Sequence, residues 1–347
     1  MKDSCSTYLS RANRLLAFLL CVVLVNNVKA QTETPIDTGA FFINLDDYFN
    51  LSADLETDFE TFSLAGDDFF YDIRPNFSYY NKIGIDYRAL SVFLSFKPPL
   101  GQNQDEDLKG ETNINGFGFS FNTSNLINHF KWNTASGFYL DNSSDYIPDF
   151  VKGETPYIQF PELNYTTYRG THYYKFNPKF SYTAFNVQMA QQLKSAGSFA
   201  TGISWNYSLI DNRTPTGQSS DNLQVLLDVA YYYTIVLQRK WYINFGIIAG
   251  TGLRYTALTT PFNGEFVTTN YRSFNFRSKG ILGLGYNSKK IFGGIDLRYL
   301  HEIQEQGTGQ VHEELDGYSF RVFFGFHILA PRFINKTYDR VEEFLGM

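Results

Sequence analysis

Apolar and polar side chains alternate at every second position along much of this chain. In the run from Ser319 to Leu329, one face carries Phe320, Val322, Phe324, Phe326 and Ile328, and the other carries Arg321 and His327. The same period runs through 291–303 and 241–255. Since consecutive side chains of a β-strand point to opposite faces, this pattern predicts strands with one apolar and one polar side.

Thirteen runs have this strand-like character. They lie at 49–64, 69–87, 90–97, 112–122, 129–140, 164–176, 179–192, 197–210, 223–238, 241–257, 271–287, 290–304 and 318–329.

The connections between these runs alternate between short and long. Short ones lie at 88–89, 177–178, 238–240 and 287–290, and long polar ones at 98–111, 141–163, 211–222, 258–270 and 305–317. Outer-membrane barrels place short turns in the periplasm, long loops outside the cell, and an even number of strands between them. The alternation holds only if 179–210 crosses once, which predicts twelve strands and both termini in the periplasm.

The polar stretch 191–197 is the expected interruption within 179–210. A bulge, an inward excursion or a periplasmic turn would each preserve the alternation. A cation is costly facing the middle of a bilayer, so Lys194 is expected inside the lumen or at the periplasmic rim. The crossing itself is then expected from Phe199 to Leu209.

Composition supports a barrel embedded in lipid. Aromatic residues make up 18% of the chain, with 34 Phe and 25 Tyr, and aromatic girdles flank the apolar band of outer-membrane barrels. A soluble β-sandwich is the alternative, since its strands alternate with the apolar face inward. The predicted fold class is all-β, a transmembrane antiparallel up-and-down β-barrel of about 12 strands with an N-terminal signal peptide.

The N-terminus has the pattern of that signal peptide. Lys2, Arg11 and Arg14 precede the apolar run Leu15–Val25, which falls well short of the ~20 residues of a transmembrane helix. Cleavage is expected after Ala30, and a short N-terminal anchor is the alternative. The predicted organisation is a signal peptide at 1–30, a periplasmic lead at 31–48, the barrel at 49–329 and a periplasmic tail at 330–347.

Cysteine and charge restrict the chemistry further. Both cysteines, Cys5 and Cys21, fall in the signal peptide, so the mature chain has no disulfide or thiolate site. The chain from residue 31 carries 25 basic and 34 acidic residues, a net charge of −9. This balance argues against nucleic-acid binding, which needs basic patches.

The polar phase of the strands supplies the candidate lumen residues, because charges on a barrel wall normally face inward. A salt-bridged, filled interior or a narrow polar pore would each use them. The candidates are Lys82, Asp86, Asp228, Arg254, Asp296, Arg298, Glu302, Arg321 and His327.

An enzyme is not expected. No compact nucleophile motif surrounds His129 or His172, and the chain has no Gly-x-Ser-x-Gly elbow. The sequence 312–314, His-Glu-Glu, reads as solvated loop charge more readily than as a cation site. The sequence therefore predicts no catalytic residues, no metal and no cofactor.

Several segments, in their order along the chain, resemble an uncharacterised outer-membrane β-barrel family of the Bacteroidota, a domain of unknown function. They are Leu55–Leu64, Asp72–Asn76, Gly84–Tyr87, Gly137–Leu140, Lys194–Phe199 and Ala330–Phe333. The resemblance covers most of the mature chain and implies an outer-membrane location, with no known activity.

Together these observations predict an outer-membrane protein with a structural or partner-binding role, or a narrow pore with a charged lumen. A transport channel for small polar solutes is the alternative, and an outer-membrane hydrolase comes third. The expected partners are outer-membrane lipid and either small polar solutes or a cell-envelope protein, without nucleic acid.

Overall fold

The computed structural model describes residues 39–57, 62–66, 69–76, 79–97, 105–212, 217–262, 264–306 and 311–345. The predicted signal peptide and residues 31–38 lie outside these ranges. From Ala40 onward the chain forms one compact unit.

Sixteen strands lie in the described part of the chain. They are β1 (Phe42–Asn44), β2 (Tyr48–Glu56), β3 (Phe62–Gly66), β4 (Phe69–Arg74), β5 (Tyr80–Tyr87), β6 (Leu90–Phe96), β7 (Asn113–Asn122), β8 (Leu126–Leu140), β9 (Gln159–Lys175), β10 (Ala190–Gln192), β11 (Ala196–Asn212), β12 (Ser219–Leu237), β13 (Trp241–Phe262), β14 (Glu265–Asn287), β15 (Ile291–Gln306) and β16 (Val311–Leu329).

Three helices accompany them. They are α1 (Glu106–Lys109), α2 (Tyr182–Asn186) and α3 (Arg332–Leu345), and a 3₁₀ turn covers Ser143–Asp145. Among the described residues no helix is long and apolar enough to cross a membrane.

Twelve of the strands form a closed antiparallel barrel. Each pairs with its neighbour along the chain, in the order β2, β5 to β9 and β11 to β16, and β16 returns to β2 with Phe324 opposite Ala53. The predicted strand number and up-and-down order are confirmed. Closure matters because it pairs each of the twelve barrel strands on both sides, which satisfies their backbone groups without water.

Two of the predicted strands are wrong in the region between β2 and β5. The runs 49–64 and 69–87 are not continuous, since β3 and β4 form a separate hairpin that joins the end of β8 through Ile73 and Leu140. Pro75 explains one break, because proline has no N–H to donate to a ladder. The sequence Gly66-Asp67-Asp68 between β3 and β4 has the residue types that favour a turn.

Several predicted loops are also shorter than expected. β13 and β14 run to Phe262 and Glu265, so the predicted loop 258–270 is largely a hairpin. Strands of 22 and 23 residues exceed the ~10 residues that one crossing requires. Polar cross-strand bonds hold this extension, with Thr259 Oγ1 2.9 Å from Thr268 Oγ1. The ends of β11, β12, β15 and β16 likewise extend into the predicted loops 211–222 and 305–317.

The barrel turns its apolar side outward. The side chains of Leu227 and Ile247 are 66% and 68% exposed, whereas Asp228 is 1% exposed. We call the two ends by their connections. The short-turn end holds the turns at 88–89, 123–125, 238–240 and 288–290 and the connection between β9 and β11, and the long-loop end holds the other connections between barrel strands.

Residues 177–195, between β9 and β11, enter the barrel at its short-turn end, and we call them the plug. Ser181 begins α2 by accepting a hydrogen bond from Ala184 N at 3.2 Å. Phe180 and Phe185 then pack on Tyr232 of the wall. The predicted strand 179–192 is therefore wrong. The interruption is an inward excursion, and β11 makes the crossing.

The described segments before β2 and after β16 lie at the short-turn end. β1 pairs with β10, with Phe42 opposite Gln192, and Lys194 is exposed with its Nζ 5.4 Å from the Phe41 ring centre. At the same end α3 packs on the β5–β6 turn, where Arg88 lies 2.7 Å from Asp339. Lys194 thus lies at the rim of the short-turn end.

Candidate lumen binding site

A cavity of about 500 Å³ occupies the lumen on the long-loop side of the plug. Tyr182, Phe185 and residues 186–188 of the plug form its floor, and polar side chains of the barrel strands form its walls. The strands place these side chains there because every second residue of each strand points inward. The cavity is therefore separated from the short-turn end by the chain itself.

The plug is anchored to several barrel strands through its backbone carbonyl groups. Asn244 donates to Phe185 O at 3.0 Å, His327 contacts Gln188 O at 3.0 Å and Asn287 donates to Ala190 O at 2.9 Å. Asn50 donates to Val187 O, and Arg321 donates to Asn186 O at 3.4 Å. These bonds satisfy a non-regular backbone that would otherwise be buried without partners.

An ion-pair network lies just above the floor. Arg321 Nε is 2.8 Å from Asp54 Oδ2 and 3.5 Å from Glu56 Oε1, and its Nη1 is 3.2 Å from Asp296 Oδ2. Lys82 Nζ is 2.8 Å from Asp54 Oδ2 and also contacts Glu56. This network ties together β2, β5, β15 and β16, where the barrel closes.

Other predicted lumen residues lie at greater heights along the strands. Arg298 Nη2 is 3.6 Å from Asp296 Oδ2, and Glu302 accepts a hydrogen bond from Gln224 at 2.5 Å. Arg254 lines the cavity. The exposed fraction of the side chain rises from 8% at Arg321 to 34% at Arg298, so the cavity is more solvated toward the long-loop end.

Two predicted residues have local partners of their own, and a third is buried in the wall. Asp228 accepts hydrogen bonds from Arg277 at 3.2 Å and from the Tyr173 hydroxyl at 2.7 Å. His327 contacts two backbone carbonyl oxygens, of Ser288 and Gln188, so it is part of the plug's anchorage. Asp86 is buried in the lower wall of the cavity.

The sequence analysis missed several charged residues of the lining. They are Asp54, Glu56, Lys131, Arg169, Arg277 and Lys279. Each lies at an inward-facing position of its strand, so the alternation that identified the other candidates also identifies these.

A cross-strand serine–histidine pair was missed as well. Ser120 Oγ lies 2.6 Å from His129 Nδ1, and His129 Nε2 lies 3.2 Å from the Tyr182 hydroxyl of the plug. In a catalytic triad the histidine is oriented by a carboxylate or an amide. Here the second partner of His129 is the Tyr182 hydroxyl. In the described part of the chain, no group of His, Cys, Asp and Glu is arranged to hold a metal ion.

Fold and cavity define a class of protein, a closed twelve-stranded β-barrel whose lumen is blocked at one end by its own chain. Within that class, the chain belongs to the family "Domain of unknown function (DUF4421)", whose model matches residues 35–333. Among curated proteins, none matches the sequence significantly.

Solved outer-membrane structures overlap with the barrel at low similarity. Outer-membrane expressed OmpT of Vibrio cholerae is 8% identical, with 85% of this chain and 100% of that chain covered and a TM-score of 0.30. LpxR from Salmonella typhimurium is 10% identical, with 80% and 99% covered and a TM-score of 0.32. The ferric citrate transporter FecA is 11% identical, with 82% and 43% covered and a TM-score of 0.31. At these scores the similarities assign no function to the chain.

Proposed function

We propose that this protein is an outer-membrane β-barrel that binds a small polar solute in its lumen and does not conduct. The observation that carries the proposal is the plug, which forms the floor of a polar cavity. A cavity of about 500 Å³ is within the ~300–1,000 Å³ range of small-molecule sites. The protein would work as a binding barrel open toward the long loops.

The apolar outer surface supports the membrane location. A closed barrel satisfies every backbone group in its wall, which a spanning structure in lipid requires. The outward side chains at mid-strand, such as Ile247, Leu227 and Phe324, are large, apolar and exposed. Lipid is the partner that such a surface fits. We place the short-turn end in the periplasm, with the mature chain beginning at Gln31.

Fractionation and N-terminal sequencing test this location. Mature protein is expected in the outer-membrane fraction with Gln31 as its first residue. An uncleaved chain in the cytoplasmic membrane would contradict the proposal.

The plug favours a binding barrel over an open channel. Its carbonyl groups accept hydrogen bonds from β2, β13, β14 and β16, which lie along one side of the barrel. From the opposite side, His129 of β8 lies 3.2 Å from the Tyr182 hydroxyl of the plug. Its aromatic rings pack on β12. Ions would have to displace this buried, hydrogen-bonded segment to pass, which costs more than crossing a solvated constriction.

Planar-bilayer recording separates binding from conduction. The native chain is expected to show no steady conductance. A variant with 179–194 replaced by a Gly-Ser linker of equal length keeps all twelve barrel strands and is expected to conduct.

Steady conductance of the native chain would refute the closed barrel. A folded linker variant that stays silent would show that the wall side chains, and not the plug, close the lumen.

A further inference from the structure

We infer that the lumen cavity binds an anionic solute, a small molecule carrying several phosphate or carboxylate charges. This inference rests on the proposed function, and it names the class of ligand. The protein as a whole is acidic, with a net charge of −6. The charged side chains that line the cavity have a net positive charge, and this difference in sign needs an explanation.

The charges lining the cavity are mainly positive. Eight Lys and Arg side chains and five Asp and Glu side chains of the described residues line it. Asp228, which contacts Arg277, adds one more carboxylate at the wall. The surplus of cations lies in a concave space with low-dielectric walls, where the field of several like charges is concentrated.

The carboxylates lie mainly near the floor and contact specific donors. Asp54 and Glu56 contact Lys82 and Arg321, and Asp296 contacts Arg321. Those pairs hold the barrel closed, so their charges largely offset each other. Over the whole lining, with Asp228 included, eight cations face six carboxylates, which leaves a surplus of two positive charges.

Five further cations come from five strands around the barrel, β8, β9, β13, β14 and β15, and the one on β15, Arg298, also lies 3.6 Å from Asp296. They are Lys131, Arg169, Arg254, Lys279 and Arg298. Arginine and lysine bind phosphate and carboxylate groups through charge-assisted hydrogen bonds. A solute with two or more anionic groups can contact cations of several strands at once.

The test is calorimetric titration of the folded, full-length protein with inorganic tripolyphosphate, and with sucrose as an uncharged probe. Tripolyphosphate is expected to bind and to weaken as salt is added, because mobile ions screen the cavity charges. The double variant Arg254→Gln/Lys279→Gln is expected to weaken binding by about tenfold, in line with the loss of two nearby charges.

The matched control is Lys289→Gln/Lys290→Gln. It removes the same charge from the turn at the short-turn end, below the plug, and is expected to leave binding unchanged. If both double variants weakened tripolyphosphate binding equally, the effect would come from the net charge of the protein, and the proposed binding site would be overturned.

Sucrose binding with no tripolyphosphate binding would overturn the anionic class and leave the closed binding barrel intact. If neither probe binds and the native protein shows no conductance in bilayers, the anionic inference is overturned and a structural role is favoured. Native conductance would refute the proposed function independently of either titration.

Discussion

Replacing Arg321 with methionine tests how the charged network holds the barrel closed. The side chain of Arg321 is 8% exposed and lies within 3.5 Å of oxygen atoms of Asp54, Glu56 and Asp296. Arg321→Met keeps much of the volume and removes the charge. Three buried carboxylates would then share the remaining cations Lys82 and, more distantly, Arg298.

The expected loss in the free energy of unfolding is about 3 kcal/mol. Removing one partner of a buried ion pair typically costs about 3–5 kcal/mol, and the remaining contact of Lys82 with Asp54, at 2.8 Å, places this case at the lower end. The loss also includes the bond from Arg321 to Asn186 O, so the plug is expected to loosen.

Urea unfolding of the protein in lipid vesicles, followed by tryptophan fluorescence, measures this loss. Arg88→Met is the matched control: the side chain of Arg88 is 12% exposed, but Asp339, the partner that it leaves behind, is 57% exposed and stays solvated, so the expected loss is about 0–1 kcal/mol. Adding Asp54→Asn to Arg321→Met is expected to recover part of the loss, because it removes one of the uncompensated charges. A loss below about 1 kcal/mol, or one equal to that of Arg88→Met, would refute the reasoning.

Two further predictions concern the faces and the orientation of the barrel. Ile295→Arg, on the outer face, should lower stability in bilayers by about 2–4 kcal/mol, measured by the same unfolding assay. Full stability of that variant, together with failure of Arg298→Leu to fold, would mean that the faces are reversed. Since Cys5 and Cys21 precede the proposed mature chain, single cysteines can be labelled cleanly. Gly264→Cys should react with an impermeant maleimide on intact cells and Ser288→Cys should not; the opposite pattern would invert the topology.

Strand number and topology were predictable because they depend on local patterns. The two-residue alternation in 291–303 and 319–329 identifies strands with two unlike faces, and the alternation of short and long connections fixes an even count. Strand ends were less predictable. In 258–270 the Thr, Phe and Val residues favour a strand, yet their polar neighbours resemble a loop. A hairpin beyond the apolar band has no lipid to impose alternation.

The plug could be predicted only as an interruption. The run around 188–192 looks strand-like, but Pro178 and Ser181 favour a break and a helix start. Its position depends on bonds between residues far apart in the chain, such as Asn244 with Phe185 and His327 with Gln188. Those donors occupy ordinary inward positions of their strands, and nothing in the local pattern of 177–195 identifies them as its partners.

The candidate site was also predictable only in those features that depend on the pattern within a single strand. The inward phase identifies Arg254, Arg298 and Arg321 one strand at a time, and applied consistently it also identifies Lys131 and Lys279. The net charge of the cavity lining, however, is a sum over many strands, and it is positive although the net charge of the whole chain is negative. Whether that charged lumen is a pore or a closed cavity depends on one connection between β9 and β11. A strand pattern can therefore predict the barrel, while its function depends on contacts that form only after the barrel has closed around the plug.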